Sequence, residues 1–227
     1  MSGVIYHNAP KTEAQLMARC DLLAGVTIAT IAEQCNYRLP TTLLKNKGCI
    51  GQLLEIFLGA TAGNLSEPDF QQLQIELKTI PLNSKHLPKE STYVCTAPNS
   101  IAALQETWHN CRVRNKLAKV LWVPIEADPK IPLADRKIGT PLLWQLDPDL
   151  EAIIRKDWEE LTYMLSTGQA LSLTAHHGTY LQIRPKAANS SVVTSYIDAS
   201  GMATKIVPKG FYLRPSCTSA ILQRQYL

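Results

Sequence analysis

The chain has 227 residues, of which 45% are apolar and 19% charged, and its formal net charge is +4. This length predicts one large domain or two tight lobes, and the apolar fraction excludes an intrinsically disordered chain. Prolines and glycines are present in ordinary numbers without a period, which excludes a collagen-like chain.

The first third of the chain predicts three helices. Thr12 caps a helix that ends before Gly25, and Thr27 caps a second helix. A third helix is predicted over residues 48–60, where the apolar positions form a wide stripe and Glu55 is the only charge.

The rest of the chain predicts strands that alternate with helices. Strands are predicted at 73–80, 92–96, 119–125, 180–183 and 210–213, and helices at 150–165 and 216–227. The segment 126–149 contains four prolines and predicts a long connecting loop, a hinge between two lobes. The alternation predicts an α/β or α+β fold with a mixed sheet.

Several features of the sequence bear on where the protein acts. No stretch is apolar enough to predict a membrane span, and the N-terminus lacks the layout of a signal peptide. We therefore expect a cytoplasmic protein in which the six cysteines are reduced thiols, with Cys20 and Cys49 in the core.

Positive charge is concentrated in two places. From Gly178 onward there are six cations and one acid, and a second basic cluster consists of Arg112, Arg114, Lys116 and Lys119. Such a distribution favours a surface that faces a polyanion, and the alternative is an ordinary solvated surface.

The segment 68–78 carries the clearest chemical motif, a Pro-Asp that is separated by six residues from a Glu-x-Lys. On a strand, Glu76 and Lys78 share one face, opposite the apolar residues, and Asp69 lies where the chain enters. Asp69 and Glu76 can converge on one hard divalent cation, with the carbonyl of Leu77 as a third oxygen ligand.

A Mg²⁺ ion in such a site acidifies water and neutralises charge on phosphate oxygens, while Lys78 stabilises the developing anion or orients the attacking water. The alternative is that Glu-x-Lys is a solvated strand face. Glu55 has two interpretations as well: a further acidic residue of the metal site, or a wet residue at the edge of its helix.

The motif lies within several longer distinctive strings, at residues 47–51, 53–56, 58–60, 68–81, 120–124, 141–144, 180–189 and 210–213. In this order, over nearly the whole chain, they resemble the MutH family, the strand-discriminating endonucleases of bacterial mismatch repair. The resemblance implies the fold of type II restriction enzymes, with a mixed β-sheet flanked by helices and two lobes around a DNA-binding cleft. Residues 1–227 would form a single endonuclease domain, with the lobes divided near 126–149.

The resemblance also implies an activity and partners. We expect a monomer that nicks the unmethylated strand of double-stranded DNA at hemimethylated GATC sites and leaves a 5′-phosphate. The reaction would depend on Mg²⁺, although Mn²⁺ or Ca²⁺ can occupy such a site. MutL would activate the enzyme, and MutS would act through MutL.

The same resemblance assigns roles to individual residues. Asp69, Glu76 and Lys78 would form the catalytic core, with Glu55 as a further acidic member. The expected DNA-binding residues are Lys47, Glu90, Lys116, Arg184, Lys186 and Tyr212. Among them, Glu90 and Tyr212 would sense adenine methylation. Arg184 would read a base or, alternatively, grip phosphate, and the alternative for Tyr212 is a core tyrosine. Lys209 and Arg214, which flank Tyr212, would hold phosphates.

Two other functions compete with this one. A restriction enzyme that cuts both strands would need a dimer or sequential nicks, because each chain carries one copy of the motif. A non-catalytic DNA-binding module on a nuclease fold is the second alternative, and the intact Asp69, Glu76 and Lys78 argue against it.

Overall fold

The computed structural model describes residues 8–40, 48–63, 67–100, 104–187, 191–198 and 200–226. The chain folds into two compact units. The first comprises Met1–Glu90 and Ala118–Gln145, and the second comprises Ser91–Leu117 and Leu146–Leu227. Whether both act as one endonuclease domain stays a prediction. Among the described helices, none is long and apolar enough to cross a membrane.

The helices of the first unit are α1 (Glu13–Cys20), α2 (Ile28–Gln34) and α3 (Cys49–Leu58). The hydroxyl of Thr12 accepts from the backbone N–H of Gln15, and Thr27 caps α2 in the same way. Helix α3 ends at Gly59, whose φ of 81° is left-handed. All three predicted helices are confirmed, although α1 ends five residues before Gly25.

The sheet of the first unit contains β1 (Glu76–Leu82), β3 (Lys119–Glu126) and β4 (Leu142–Gln145). Strand β3 is central, parallel to β1 and antiparallel to β4. Ile75, Leu77 and Leu121 join the apolar residues of α1–α3 in one buried core. The helices therefore cover one face of the sheet, and side chains that alternate with these residues point to the other.

Two predictions for this part of the chain are wrong. The strand predicted from residue 73 begins at Glu76, because Gln71–Leu73 form a 3₁₀ turn and Gln74 has a left-handed φ of 55°. The segment 126–149 is not one long loop, since it includes β4 and the beginning of a long helix. Its prolines misled the prediction because Pro141 precedes the strand and Pro148 is at the first turn of the helix, where proline is tolerated.

The second unit has a three-stranded antiparallel sheet in the order β2 (Thr92–Thr96), β8 (Lys209–Leu213) and β5 (Leu181–Pro185). A separate hairpin pairs β6 (Thr194–Ile197) with β7 (Ala203–Ile206). The described helices of this unit are α4 (Arg112–Leu117), α5 (Pro148–Ser166) and α6 (Pro215–Tyr226). The hairpin and α4 were not predicted from the sequence.

Candidate nuclease centre and DNA-recognition face

A tight turn brings Asp69 and Glu76 together in the first unit. Phe70 and Ile75 exchange backbone hydrogen bonds of 2.9 and 3.3 Å as an antiparallel bridge. One step further along this register, Asp69 lies opposite Glu76, where Cα atoms are typically about 4.5 Å apart. Both side chains point away from the helical core because their neighbours Phe70 and Ile75 are buried in it.

The carboxylate of Asp69 is also tied to the strand. Its Oδ2 accepts the backbone N–H of Leu77 at 2.7 Å. The backbone carbonyl of Asp69 accepts the N–H groups of Thr61 and Ala62, just after the end of α3. Asp69 is therefore held by its backbone and by its side chain at the junction of α3 and β1.

Lys78 is paired with Glu76 on the same face of β1. Its Nζ donates to Glu76 Oε1 at 3.1 Å. Glu76 and Lys78 are only 6% and 8% exposed. The interpretation of Glu-x-Lys as a solvated strand face is therefore wrong. The register pairs Lys78 with the fully buried Trp122 of β3, so the ion pair is shielded from solvent.

Glu55 is half-buried on α3, one turn before Gly59. It lines a cavity of about 520 Å³ together with Tyr37, Arg38 and Gln52. Within the described residues, no three His, Cys, Asp or Glu side chains are grouped as metal ligands. The role of Glu55 at the metal site stays a prediction.

The remaining donors nevertheless fit a hard divalent cation. Mg²⁺ is commonly held by one or two carboxylates, several waters and substrate phosphate, and it needs no closed protein cage. Asp69 and Glu76 supply two carboxylates on one face, and carboxylate oxygens are ligands that this cation prefers. These residues would hold the ion, and the role of the Leu77 carbonyl stays a prediction.

The sheet of the second unit has one apolar and one polar face. Leu181, Ile183, Phe211 and Leu213 are buried on one side, each at most 1% exposed. Gln182, Arg184 and Tyr212 alternate with them and point to the other side. We call this side the polar face. It includes Tyr93 and Thr96 of β2, Gln182 and Arg184 of β5, Gly210 and Tyr212 of β8, and the adjoining Ser91 and Lys186.

Arg184 is exposed on the polar face but not unrestrained. Its Nη1 donates to Ser91 Oγ at 3.2 Å, and the same oxygen accepts Gln182 Nε2 at 2.7 Å. The guanidinium carbon lies 5.9 Å from the centroid of the Tyr212 ring, within cation–π range.

Lys186 is held by two residues of β2. Its Nζ donates to the hydroxyls of Tyr93 and Thr96, and it lies 4.1 Å from the centroid of the Tyr93 ring. Tyr93 and Thr96 share a face although they are three residues apart, because the pairing with β8 shifts by one between Tyr93 and Cys95. Val94 is the extra residue of this β-bulge.

Tyr212 occupies the centre of the polar face. Its ring packs edge-on against Tyr93 with centroids 5.3 Å apart. Gly210 makes room for both rings, since a Cβ there would lie 3.0 Å from Tyr93 Cε2 and 3.2 Å from Tyr212 Cε2. Burial and the nearby Tyr93 raise the pKa of Tyr212, and Arg184 lowers it to a smaller extent. Its hydroxyl therefore keeps its proton at neutral pH and can donate.

The loop before β5 is held by hydrogen bonds with charged side chains of α5, β8 and the residue after β8. Asp157, buried in α5, accepts the backbone N–H groups of residues 179, 180 and 181 at 2.7–2.8 Å. Arg214 donates to three carbonyls of the same loop, and Lys209 Nζ donates to the carbonyl of Leu173 at 3.4 Å. Lys209 and Arg214 therefore hold this loop, whereas their positions in the sequence predict contacts with phosphates beside Tyr212.

Known proteins are similar in sequence to this chain over nearly its full length. The family profile described as DNA mismatch repair enzyme MutH matches residues 58–157. The DNA mismatch repair protein MutH of Vibrio cholerae is 46% identical over 219 residues, which cover 96% of this chain and 98% of that protein. The chain belongs to the MutH family.

Other relatives agree with this assignment. The MutH protein of Escherichia coli is 47% identical over 218 residues, covering 96% of this chain and 95% of that protein. The MutH protein of Photorhabdus laumondii is 44% identical with the same coverage. As a MutH protein, the chain is an endonuclease, a hydrolase of DNA phosphodiester bonds. The α+β architecture of helices and mixed sheets confirms the predicted restriction-endonuclease-like fold class.

The other DNA-binding residues expected from the MutH resemblance lie in different surroundings. Lys47 falls outside the described residues. Glu90 is exposed at the end of the first unit. Lys116 on α4 is only 8% exposed, and its contact with DNA stays a prediction.

The basic cluster around Lys116 is not a uniform cationic surface. Arg114 Nε donates to Glu151 Oε1 at 2.8 Å, and Lys119 is paired with Glu13. Hydrogen bonds from Trp108 and Arg114 lower the pKa of Glu151, so this carboxylate stays charged beside the arginine. At Arg114 and Lys119, the positive charge of this cluster is therefore compensated by a neighbouring carboxylate.

Sequence reasoning missed four residues of the polar face. The predicted Arg184 and Lys186 are held in place by Ser91, Tyr93, Thr96 and Gln182. Gln182 could have been found, because it alternates with Leu181 and Ile183 at the period of a half-buried strand. Ser91 lies just before β2 and Tyr93 beside a bulge, and neither position has a comparable sequence signal.

Proposed function

We propose that this endonuclease nicks the unmethylated strand of double-stranded DNA at hemimethylated GATC sites in a Mg²⁺-dependent hydrolysis. The observation that carries the proposal is the placement of Asp69 opposite Glu76, with Lys78 on the same strand face. Membership in the MutH family supports the assignment of this site to mismatch repair.

In this proposal Asp69, Glu76 and the Leu77 carbonyl hold the metal, and Glu55 is a further acidic residue nearby. A divalent cation, when bound, lowers the pKa of water and neutralises charge on the phosphate oxygens. The bond from the Leu77 N–H keeps the Asp69 carboxylate oriented. Mn²⁺ or Ca²⁺ can bind to the same oxygen ligands.

Lys78 serves the reacting phosphate. Its ammonium group has three donors, and one of them is directed to Glu76. The other donors stabilise the charge that develops on the phosphate or orient the attacking water. Water attacks the phosphorus in line, and cleavage leaves a 5′-phosphate and a 3′-hydroxyl.

The polar face of the second unit supplies recognition in this proposal. Arg184 donates to guanine O6 and N7 in the major groove, a pairing that discriminates by about 1–3 kcal/mol. Tyr212, with Glu90, senses the N6-methyl group, which removes a donor hydrogen from adenine and adds bulk. Lys47, Lys116 and Lys186 contribute to DNA binding.

We further assign the protein a place in the repair pathway as a monomer that is activated by MutL together with MutS. The near-complete coverage of MutH relatives supports this assignment. The test is to measure nicking with and without MutL and MutS on DNA that carries a mismatch. A rate that is unchanged by both partners would contradict it.

The decisive experiment on specificity compares nicking of unmethylated, hemimethylated and fully methylated GATC duplexes with Mg²⁺. We expect nicks in unmethylated strands alone and no cleavage by Asp69→Asn. On a plasmid, early accumulation of nicked circles supports a strand-specific nickase, whereas linear product without nicked intermediate supports a restriction enzyme. If Asp69→Asn cleaves DNA at the wild-type rate, the proposed metal site is wrong.

A further inference from the structure

The side chain of Ser91 joins a buried amide to the exposed Arg184. Ser91 Oγ accepts Gln182 Nε2 at 2.7 Å and Arg184 Nη1 at 3.2 Å. Gln182 is only 4% exposed, and the register of the sheet pairs it with Tyr212 on β8. The chain of contacts therefore begins at a side chain fixed in the sheet and ends at a solvent-facing guanidinium.

The chemistry of a hydroxyl limits what this arrangement can do. A serine oxygen has two acceptor positions and one donor hydrogen. Gln182 and Arg184 fill both acceptor positions, so rotation of the hydroxyl cannot release Arg184 without loss of a bond. The guanidinium carbon of Arg184 lies 5.9 Å from the centroid of the Tyr212 ring, and this contact is a second restraint on the position of Arg184.

A base-reading arginine benefits from such restraint. A bidentate contact requires two N–H groups to point along parallel directions at once, and a free arginine side chain samples many orientations. With Nη1 held by Ser91, the remaining donors of Arg184 are presented in a limited set of directions. Ser91 and Gln182 need no contact with DNA to have this effect.

We infer that Ser91 and Gln182 are positioning residues that set Arg184 for base readout in the recognition site. This inference rests on the proposed role of Arg184. It extends the recognition machinery to two side chains that act through Arg184.

The test measures the ratio of dissociation constants for a random duplex and a GATC duplex. Arg184→Ala should lower this ratio about 5- to 150-fold, the equivalent of one bidentate contact. Ser91→Ala and Gln182→Leu should each lose part of that factor, and Ser91→Thr should retain it because the hydroxyl remains. Ser216→Ala removes an exposed hydroxyl from α6 of the same unit and is the matched control.

The double variant Ser91→Ala/Arg184→Ala identifies how Ser91 acts. It should discriminate no worse than Arg184→Ala alone, because Ser91 has nothing left to position. A further loss in the double variant, or equal losses in Ser91→Ala and Ser91→Thr, would overturn the inference. Unchanged ratios in Ser91→Ala and Gln182→Leu would do the same.

Failure of the proposed function gives a different pattern. If Arg184→Ala weakens binding to both duplexes equally, with a shallower salt dependence, then Arg184 contacts phosphate and reads no base. The role of Ser91 and Gln182 in base readout would fall with it. If Arg184→Ala lowers the ratio while the Ser91 and Gln182 variants do not, only the positioning role is wrong.

Discussion

The ion pair between Glu76 and Lys78 makes the candidate nuclease centre a determinant of stability as well as of chemistry. If this strand face were solvated, these side chains could be removed with little effect on folding. Their burial, at 6% and 8% exposure, leads to the opposite expectation. Lys78→Met would leave the Glu76 carboxylate buried without its ammonium partner, and Glu76→Leu would leave the ammonium in the same position.

The magnitude follows from the cost of breaking a buried ion pair. Removal of one partner typically destabilises by about 3–5 kcal/mol, whereas replacement of both by apolar residues of similar volume is nearly neutral. For a protein of this size, 3–5 kcal/mol corresponds to a fall in Tm of about 6–20 °C. The double variant Glu76→Leu/Lys78→Met should recover most of this loss, and all three variants should fail to nick DNA.

The assay is urea unfolding without divalent cations, so that the ion pair alone is measured. The two units can unfold in separate steps. We would therefore follow tryptophan fluorescence in a Trp108→Phe/Trp158→Phe background, which leaves Trp122 and Trp144 as reporters of the first unit. A loss below about 0.5 kcal/mol in Lys78→Met would refute the reasoning, because that is the range of ordinary surface substitutions. So would a double variant that is as unstable as the sum of both singles.

An exposed ion pair of the same unit provides the control. Lys119 and Glu13 are paired with side chains that are 25% and 49% exposed. Lys119→Met should cost no more than about 1 kcal/mol, since solvent screens such pairs. The comparison separates the effect of burial from the effect of simply losing a lysine.

Three further predictions concern single positions. Asp69→Ala should unfold more easily than Asp69→Asn by about 1–2 kcal/mol in urea, because only asparagine keeps an acceptor for the 2.7 Å bond from Leu77, and equal stabilities would contradict this role. Tyr212→Ser should raise the ratio of nicking rates on methylated and unmethylated strands, with a related phenotype for Glu90→Ala; equal falls in both rates would place the methylation sensor elsewhere. Gly210→Ala adds a Cβ 3.0 Å from the Tyr93 ring and 3.2 Å from the Tyr212 ring, so it should alter the same ratio and cost about 1–3 kcal/mol in thermal unfolding. An unaltered ratio with unaltered stability would show that the rings need no such space.

The helices of the first unit were predictable because their ends are encoded locally. Thr12 and Thr27 accept the backbone hydrogen bonds expected of N-caps, and Gly59 adopts the left-handed conformation that ends α3. The residues of the candidate metal site were also found from spacing. Their mutual placement was not, because it depends on the turn closed by Phe70 and Ile75 and on the left-handed Gln74.

Burial and pairing across the chain were beyond the sequence. Glu76 and Lys78 alternate with apolar residues, as in a strand with one face in solvent. Their burial is visible only in the structure, where β1 pairs with β3. Arg214 and Lys209 read as phosphate ligands from charge alone, yet their donors are directed to backbone carbonyls of the loop before β5. Partners that are more than thirty residues away leave no local signature.

The bulge at Val94 changes which side chains of β2 can cooperate. In a regular strand, residues three apart lie on opposite faces, so Tyr93 and Thr96 could not both reach Lys186. The extra residue shifts the alternation of side chains by one position, so residues before and after the bulge that are three apart lie on the same face. Val94 and Cys95 are both buried. A homologue with all three polar side chains but one residue fewer in β2 would therefore lose one of the two hydrogen bonds that hold Lys186. The number of residues in β2 is therefore as important to the polar face as the identity of its side chains. A comparison of side chains alone would overlook it.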